Sequence, residues 1–179
     1  MAIESPVLRI GCATDAVTVS ALATQVYLDT YGPDGITPDL AHEAFVICSP
    51  EAFTARLASS RLRFFLAERK SRLVGFLELV TEPSRPPSME HHGLEVARLY
   101  VQPAAQGQRI GSMLLREAEA CASLSRCGLI WLTAWAGNQR ALVFYRAQGF
   151  QDVGATSFVF ERRSYENRIL IKPIAASTA

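Results

Sequence analysis

The feature that most constrains the fold is a strand, a polar turn, a helix and a second strand in direct succession over residues 94–135. The first apolar stretch, LEVARLYV, is soon followed by Pro103, which cannot donate a hydrogen bond to a sheet. Apolar residues at helical spacing then predict an amphipathic helix over about 107–126, and LIWLTAW predicts a buried strand over 129–135. Two such strands are expected to pair in parallel through a right-handed crossover.

Further elements surround this central segment. RFFLAER and RLVGFLELV are separated only by Lys70 and Ser71, which predicts an antiparallel hairpin. Asp15 is expected to cap the first helix, and Ser49 to cap the helix over 50–58, which has Pro50 at its first position. Gly128 and Gly149 are expected to end the last two helices. The remaining strands are expected near 7–14, 157–162 and 167–173, and the remaining helices over 16–31, from Pro38, over 50–58 and over 138–148.

This order of elements predicts one domain over residues 1–179 with its core at about 7–174. The expected class is α/β (α+β). The sheet should be mixed and mostly antiparallel, with about seven strands, helices on both faces and a central parallel β-α-β crossover.

Composition excludes several classes of protein. Of 179 residues, 49% are hydrophobic and 20% charged, which argues against disorder. The net charge of +1 and the lack of a basic run give no reason to expect a nucleic-acid partner. Neither a secretory signal nor a membrane span is apparent, so the cytoplasm is the expected location. The four cysteines lack metal-ligand spacing and are expected as free thiols, without a metal cofactor.

Acidic residues are concentrated near the N-terminus. Residues 10–55 contain no Lys or Arg but carry six acids, namely Asp15, Asp29, Asp34, Asp39, Glu43 and Glu51. Such a run is usually a solvated helix surface. The alternative is an acidic rim that attracts a cationic substrate.

The turn QGQRIG, residues 106–111, stands where the predicted strand passes into the predicted helix. Amides of a first helical turn lack partners within the helix, and the helix dipole favours an anion there. Gly107 and Gly111 would let a phosphate group approach the backbone closely. Arg109 is expected to occupy the turn at a negative φ angle, as at the start of a helix.

The segments LEVARLYVQPAAQGQRIGSMLLREA, LIWLTAWAGNQRALVFYRAQGF and RILIKPI together resemble the GNAT superfamily of acetyl-CoA-dependent N-acetyltransferases. The family's pyrophosphate loop reads Arg/Gln-x-x-Gly-x-Gly/Ala, of which Gln106 and Gly111 are retained and Arg109 departs. The run from Asn138 to Phe150 is the more specific part. The resemblance extends from about residue 7 to 174 and implies acetyl-CoA as cosubstrate.

The resemblance also implies which residues bind the cosubstrate. Main-chain groups of Leu99, Tyr100 and Val101 would pair with the pantetheine arm, and the Leu99 amide would face the thioester carbonyl. Asn138 would reach the cofactor from its helix start, although it is equally explained as a helix cap. The amides implied for the pyrophosphate are those of Gln106, Gly107, Gln108, Arg109, Ile110, Gly111 and Ser112.

Two residues are implied to act in proton transfer. Tyr145 would stand near the thioester sulfur and protonate the departing thiolate, but core packing also explains it. Glu95 lies eleven residues before Gln106, where family members often place a catalytic glutamate. Strand alternation places Glu95 with Ala97, Leu99 and Val101, so desolvation would raise its pKa. Whether Glu95 is a base, directly or through water, or only a paired or edge-exposed glutamate stays open.

Within the superfamily, the chain is most similar to the bacterial diamine and spermidine N-acetyltransferase group. The stretches that carry this likeness are DTYG, RFFLAER, RLVGFLEL, ARLYV, IWLTAWAGN and SFVF. It implies a small primary amine such as a polyamine as acceptor, with direct transfer in a ternary complex. The alternative acceptors are a protein N-terminus, a lysine or an aminoglycoside-like amine. The alternative function is that of a non-catalytic acyl-CoA sensor. A homodimer is allowed but indicated by no residue pattern.

Overall fold

The computed structural model describes residues 4–87, 89–160 and 163–174. Short 3-10 turns lie at Ala13–Asp15 and Pro103–Ala105. The strands are β1 (Val7–Ile10), β2 (Leu62–Arg69), β3 (Arg72–Ser84), β4 (Gly93–Val101), β5 (Leu129–Trp135), β6 (Gln151–Phe160) and β7 (Arg163–Pro173). The helices are α1 (Ala16–Tyr31), α2 (Pro38–Ile47), α3 (Pro50–Leu57), α4 (Ile110–Leu124) and α5 (Gln139–Ala147).

The seven strands form one sheet in the order β1-β2-β3-β4-β5-β7-β6. β4 and β5 are parallel, as expected for a crossover through α4. β1 and β2, β5 and β7, and β6 and β7 are antiparallel. β3 and β4 also run in opposite directions, because the Gln102 N–H donates to the Val74 carbonyl (2.9 Å) while Arg98 bonds Glu78 further back along β4. The predicted mixed α/β sheet is confirmed.

The chain forms two compact units. The first comprises Met1–Leu79 and Arg98–Leu115, and the second Val80–Ala97 and Arg116–Ala179. Three elements, β3, β4 and α4, pass covalently from one unit to the other. No helix among the described residues has the length and apolar character needed to cross a bilayer.

In the first unit, helices cover both faces of the sheet. Phe53 of α3 packs on Phe76 of β3 with 5.9 Å between ring centroids. The preceding residue, Gly75, points to the opposite face, where a Cβ would lie 3.1 Å from Ile110 of α4 and 3.0 Å from the Tyr100 carbonyl. Gly75 therefore allows α4 to approach the strand closely.

In the second unit, the strands after α4 carry the core. Trp131 of β5 is 6% exposed, and Ile130 and Leu170 are fully buried. Lys172 of β7 forms an ion pair with Glu119 of α4 (2.6 Å). Lys172 lies opposite Ile130 in the register and therefore shares its sheet face. This part of α4 thus covers the face opposite to the one that carries Trp131.

Several local predictions are confirmed. Lys70 and Ser71 have φ angles of 51° and 57°, as a two-residue hairpin turn requires. The Ser49 hydroxyl accepts from the Ala52 N–H at 3.1 Å and caps α3, which begins with Pro50. Gly149 ends α5 with a φ angle of 87°.

The predicted cap of α1 is wrong. Asp15 has helical backbone angles and makes no side-chain cap bond to α1. Instead its carboxylate accepts hydrogen bonds from Arg9 (2.7 Å) and from the Cys12 N–H (2.8 Å). The bond from Arg9 holds the pKa of Asp15 well below its usual value. β1 accordingly ends at Ile10, before the segment that Asp15 closes into a 3-10 turn.

The predicted ends of the central helix also need correction. The helix does not cover 107–126 but begins at Ile110 and ends at Leu124. Arg126, with a φ angle of 54°, takes the left-handed position that we assigned to Gly128. The Cys127 N–H donates to the Ala122 carbonyl (2.8 Å) and the Arg126 N–H to the Ser123 carbonyl (3.1 Å), which satisfies the last carbonyls of the helix.

β6 and β7 are longer than predicted. Their register runs from Gln151 opposite Ile171 to Phe160 opposite Arg163, with an irregularity between Asp152 and Gly154. β6 is an edge strand and largely exposed, so it lacks the alternating apolar pattern that marks a strand in a sequence.

A charged cluster is buried in the first unit. Glu78 of β3 is 2% exposed and accepts a hydrogen bond from Arg98 of β4 at 2.7 Å. Arg56 of α3 lies 3.8 Å from the other Glu78 oxygen and 5.3 Å from the centroid of the Phe53 ring. Burial, with the nearby positive charge of Arg98, lowers the pKa of Arg56. The single carboxylate therefore compensates two partly buried guanidinium groups.

Glu78→Gln is expected to lower the free energy of unfolding by about 3 kcal/mol, because it leaves two desolvated cations without their counter-charge. Urea denaturation measures the change. Asp34→Asn, which removes an exposed acid of the same unit, is the matched control and should change the value by less than about 0.5 kcal/mol. Equal effects of the two substitutions would contradict the assigned role of Glu78.

Candidate active site

The predicted site residues fall into two groups, one in each compact unit, and the first group begins where β4 ends. The Gln102 N–H pairs with β3, and Pro103–Ala105 then forms a 3-10 turn that leads to the QGQRIG loop. Ala105 is 3% exposed and Ile110 is 1% exposed. The loop is therefore anchored in the core at both ends, while Gly107 and Arg109 between them are exposed.

The backbone of the loop is left-handed at two positions. Gly107 has a φ angle of 75° and Arg109 one of 62°. Our expectation of a negative φ at Arg109 is wrong. Because α4 begins only at Ile110, Arg109 belongs to the turn before the helix, where the chain must reverse direction. An L-residue in this conformation is strained by roughly 1 kcal/mol.

Glutamine side chains brace the loop. The Gln106 amide donates to the Val101 carbonyl (2.9 Å), and the Gln108 amide donates to the Ala104 carbonyl (3.1 Å). The Gln108 carbonyl accepts from Arg69 of β2 at 2.6 Å. Each of these two glutamines thus ties the loop to a main-chain carbonyl four or five residues earlier in the chain.

The loop presents the N-terminus of α4. The Met113 N–H bonds the Arg109 carbonyl at 3.0 Å and starts the helical ladder. The amides of Ile110, Gly111 and Ser112 precede that bond and have no carbonyl four residues back within the helix. Together with the helix dipole, these amides can bind an anion.

The last residues of β4 complete the first group. Leu99, Tyr100 and Val101 are half-buried. The Tyr100 ring packs against Phe76 at 5.4 Å between centroids, on the sheet face that carries α3. Leu99 and Val101 alternate with Tyr100 and so point to the opposite face, which carries α4.

The second group, which lies in the second unit, contains Glu95, Asn138 and Tyr145. Glu95 is half-buried on β4 and lies opposite Trp131 of β5 in the parallel register. The Asn138 Oδ1 accepts from the Ala141 N–H at 3.1 Å, so the predicted cap of α5 is confirmed. Tyr145 is 9% exposed, and its ring lies 5.3 Å from Phe144 and 5.5 Å from Phe150 between centroids. Packing of Tyr145 is thus observed, and the functional roles of all three stay predictions.

Three contributors to the site were not predicted from the sequence. Gly75 had a usable signal, because a glycine inside an apolar strand marks a close approach. Arg69 donates a hydrogen bond to Gln108 of the loop, 39 residues away in the sequence, and no sequence signal indicated this contact. The pairing of Glu78 with Arg98 likewise gives no local pattern.

Among the residues that the structure describes, no group of three His, Cys, Asp or Glu side chains could hold a metal ion. The four cysteines are free thiols, as predicted. The polar groups at the loop are backbone amides, two glutamines and the guanidinium groups of Arg69 and Arg109, which suit a phosphate group.

A model of the acetyltransferase (GNAT) family matches residues 30–150, a range that contains the loop, Glu95, Asn138 and Tyr145. The chain belongs to the acetyltransferase (GNAT) family. It is similar to the N-alpha-acetyltransferase RimI of Mycobacterium tuberculosis, with 37% identity over 105 residues, which cover 59% of this chain and 62% of the relative. An N-acetyltransferase encoded in the pepI 3′ region of Lactobacillus delbrueckii is 23% identical over 139 residues, covering 78% and 80% of the two chains.

Solved structures share the fold. The PaiA N-acetyltransferase of Thermoplasma acidophilum, in complex with coenzyme A, superimposes with a TM-score of 0.77 at 22% identity, covering 95% of this chain and 99% of that one. A ribosomal-protein-alanine N-acetyltransferase of Brucella melitensis gives 0.65 at 22% identity, covering 94% and 99%.

The family implied by the sequence is therefore confirmed. The protein is a GNAT N-acetyltransferase, and acetyl-CoA is the cosubstrate of this family. Membership of the diamine and spermidine group stays a prediction.

Arg109→Gly is expected to raise the free energy of unfolding by about 0.5 to 1 kcal/mol, because glycine adopts the left-handed conformation without strain. Affinity for CoA should stay equal or weaken modestly. Thermal unfolding and CoA titration measure the two effects. Gly111→Val should abolish CoA binding, and a large gain of affinity in Arg109→Gly would mean that the arginine obstructs the loop.

Proposed function

We propose that this protein transfers the acetyl group of acetyl-CoA directly to the primary amine of a small cationic acceptor, such as a polyamine, in a ternary complex. The observation that carries the proposal is the loop 106–109, whose left-handed backbone at Gly107 and Arg109 leads into the N-terminus of α4. That geometry suits a pyrophosphate, which is the charged centre of CoA.

In this proposal the main-chain amides of residues 106–112 bind the pyrophosphate, and Asn138 contacts the cosubstrate beside its capping bond. β4 pairs with β5 at Leu94 and Glu95, near the start of the strand. Further along, the main chain of Leu99, Tyr100 and Val101 would pair with the pantetheine arm. The thioester carbonyl would then lie at the Leu99 amide, which stabilises the developing oxyanion.

The chemical step requires a neutral amine, since an ammonium group has no lone pair for attack. Glu95 accepts the ammonium proton, either directly or through water, and the amine nitrogen attacks the thioester carbonyl carbon. When the tetrahedral intermediate collapses, the carbon–sulfur bond breaks and the Tyr145 hydroxyl protonates the thiolate. The second proton that the nitrogen loses restores the Tyr145 hydroxyl, and Glu95 releases the first proton to solvent. The products are the N-acetylated amine and CoA with a free thiol.

The charge of the first unit supports a cationic acceptor. Two acids of the 10–55 segment are engaged in the fold, because Asp15 bonds Arg9 and Glu43 accepts from Tyr27 at 2.8 Å. The other four are exposed, namely Asp29, Asp34, Asp39 and Glu51. They lie on α1, α2, α3 and the α1–α2 connection and give this surface a negative potential that would attract cations.

A second acceptor class is the α-amino group of a polypeptide. The similarity to a relative named as an N-alpha-acetyltransferase favours it. A peptide acceptor would add main-chain contacts that a polyamine cannot make, so the two classes should differ strongly in kcat/KM.

The proposal is tested by release of the CoA thiol from acetyl-CoA in the presence of an amine panel. The panel contains spermidine, putrescine, an aminoglycoside, a lysine-containing peptide with a blocked N-terminus and peptides with free N-termini. Highest kcat/KM for the small polyamines supports the proposal, and highest kcat/KM for free peptide N-termini supports the second class. CoA binding without turnover on any amine would instead indicate a non-catalytic sensor.

Glu95→Gln is expected to depress kcat most at low pH, because deprotonation of the amine is hardest there. A pH profile of kcat with the best acceptor measures this. Glu4→Gln, which changes an exposed acid outside the 10–55 segment, is the control and should leave the profile unchanged. A uniform loss of CoA affinity in Glu95→Gln, with the shape of the pH profile retained, would show a packing role instead.

Tyr145→Phe is expected to lower kcat roughly 100-fold, the usual contribution of a general acid. CoA affinity should be nearly intact, since phenylalanine preserves the ring contacts with Phe144 and Phe150. Steady-state kinetics and CoA titration separate the two quantities. Unchanged turnover would remove Tyr145 from the acid role.

A further inference from the structure

Arg69 stands at the end of β2, and its contact with the QGQRIG loop crosses between two separate elements. Its Nη2 donates to the Gln108 Oε1 at 2.6 Å. The side chain is half-buried, and its Nε is enclosed without a hydrogen-bond partner in the described part of the chain. A guanidinium group held this way loses hydration, so the bond to Gln108 matters more than one at the surface.

Gln108 is the residue between the two left-handed positions, Gly107 and Arg109. Its side chain is fixed at both polar atoms, because the carbonyl accepts from Arg69 and the amide donates to the Ala104 carbonyl. The donor chain from Arg69 through Gln108 to Ala104 therefore restrains the centre of the loop. Without it, the strained conformation at Arg109 would compete with right-handed alternatives that turn the amides away.

We infer that Arg69 is a positioning residue for the cosubstrate, which holds the loop through Gln108 in the conformation that binds the pyrophosphate. The inference rests on the proposed function of the loop. Arg69 acts on phosphate binding and not on the chemical step, so it should affect KM for acetyl-CoA and leave kcat nearly unchanged.

The test is titration of CoA and of pantetheine, which lacks the pyrophosphate, into the folded full-length protein. Arg69→Met should raise the Kd for CoA about tenfold, as expected for loss of a hydrogen bond to a charged group. The Kd for pantetheine should change less than about twofold. Gln108→Met should reproduce this selective loss in a chain that keeps Arg69.

Two further variants separate positioning from charge. Arg72→Met removes the same charge from an exposed position at the start of β3 and should bind CoA like the wild type. Arg69→Lys keeps the charge but not the planar geometry, and should stay weaker than the wild type. The double variant Arg69→Met/Gln108→Met should be little weaker than either single variant, because both substitutions interrupt one path.

The inference is overturned by wild-type CoA affinity in Arg69→Met, by equal losses for CoA and pantetheine, by a wild-type Arg69→Lys, or by an equal effect of Arg72→Met. A wild-type protein that binds CoA but acetylates no amine would contradict the proposed catalysis, and the titrations would still decide the role of Arg69. A wild-type protein that binds no CoA would overturn both.

Discussion

The left-handed backbone at Gly107 and Arg109 is the constraint on which the site depends. The chain leaves β4 extended and must enter α4 within a few residues, with Ile110 already in the core. Two left-handed residues make that reversal and leave the first helical amides outside the helix ladder. The strain at Arg109 persists only because neighbouring contacts determine the conformation of the loop.

Those contacts converge on β3 and its neighbours. Gly75 lacks a side chain where Ile110 and the Tyr100 carbonyl approach, so α4 starts close to the end of β4. On the other face of the same strand, Phe76 packs under α3 and Glu78 pairs with Arg98. β3 thus lets α4 start close by because Gly75 has no side chain, and it holds β4 through the buried ion pair of Glu78 with Arg98.

Sequence patterns predicted those parts of the fold that depend on local chemistry. The Lys70–Ser71 turn and the β5 bounds followed from spacing, and Asn138 and Ser49 followed from cap preference. The errors occurred where contacts with residues distant in the sequence, or the path of the folded chain, determine the local conformation. Asp15 bonds Arg9 and not the helix start, and Arg109 and Arg126 adopt conformations that favour glycine. The candidate site positions were named from the sequence and their roles stay predictions, whereas the bond from Arg69 to the loop required the tertiary structure.

The central claim is that main-chain amides of the loop bind the pyrophosphate of CoA. Amide-resolved ¹H–¹⁵N NMR of the uniformly labelled protein tests it most directly, with CoA and pantetheine added in separate titrations. The account predicts large downfield proton shifts for several amides within residues 106–112 on addition of CoA, and none of comparable size with pantetheine. Unchanged loop amides in a CoA-saturated protein would contradict it.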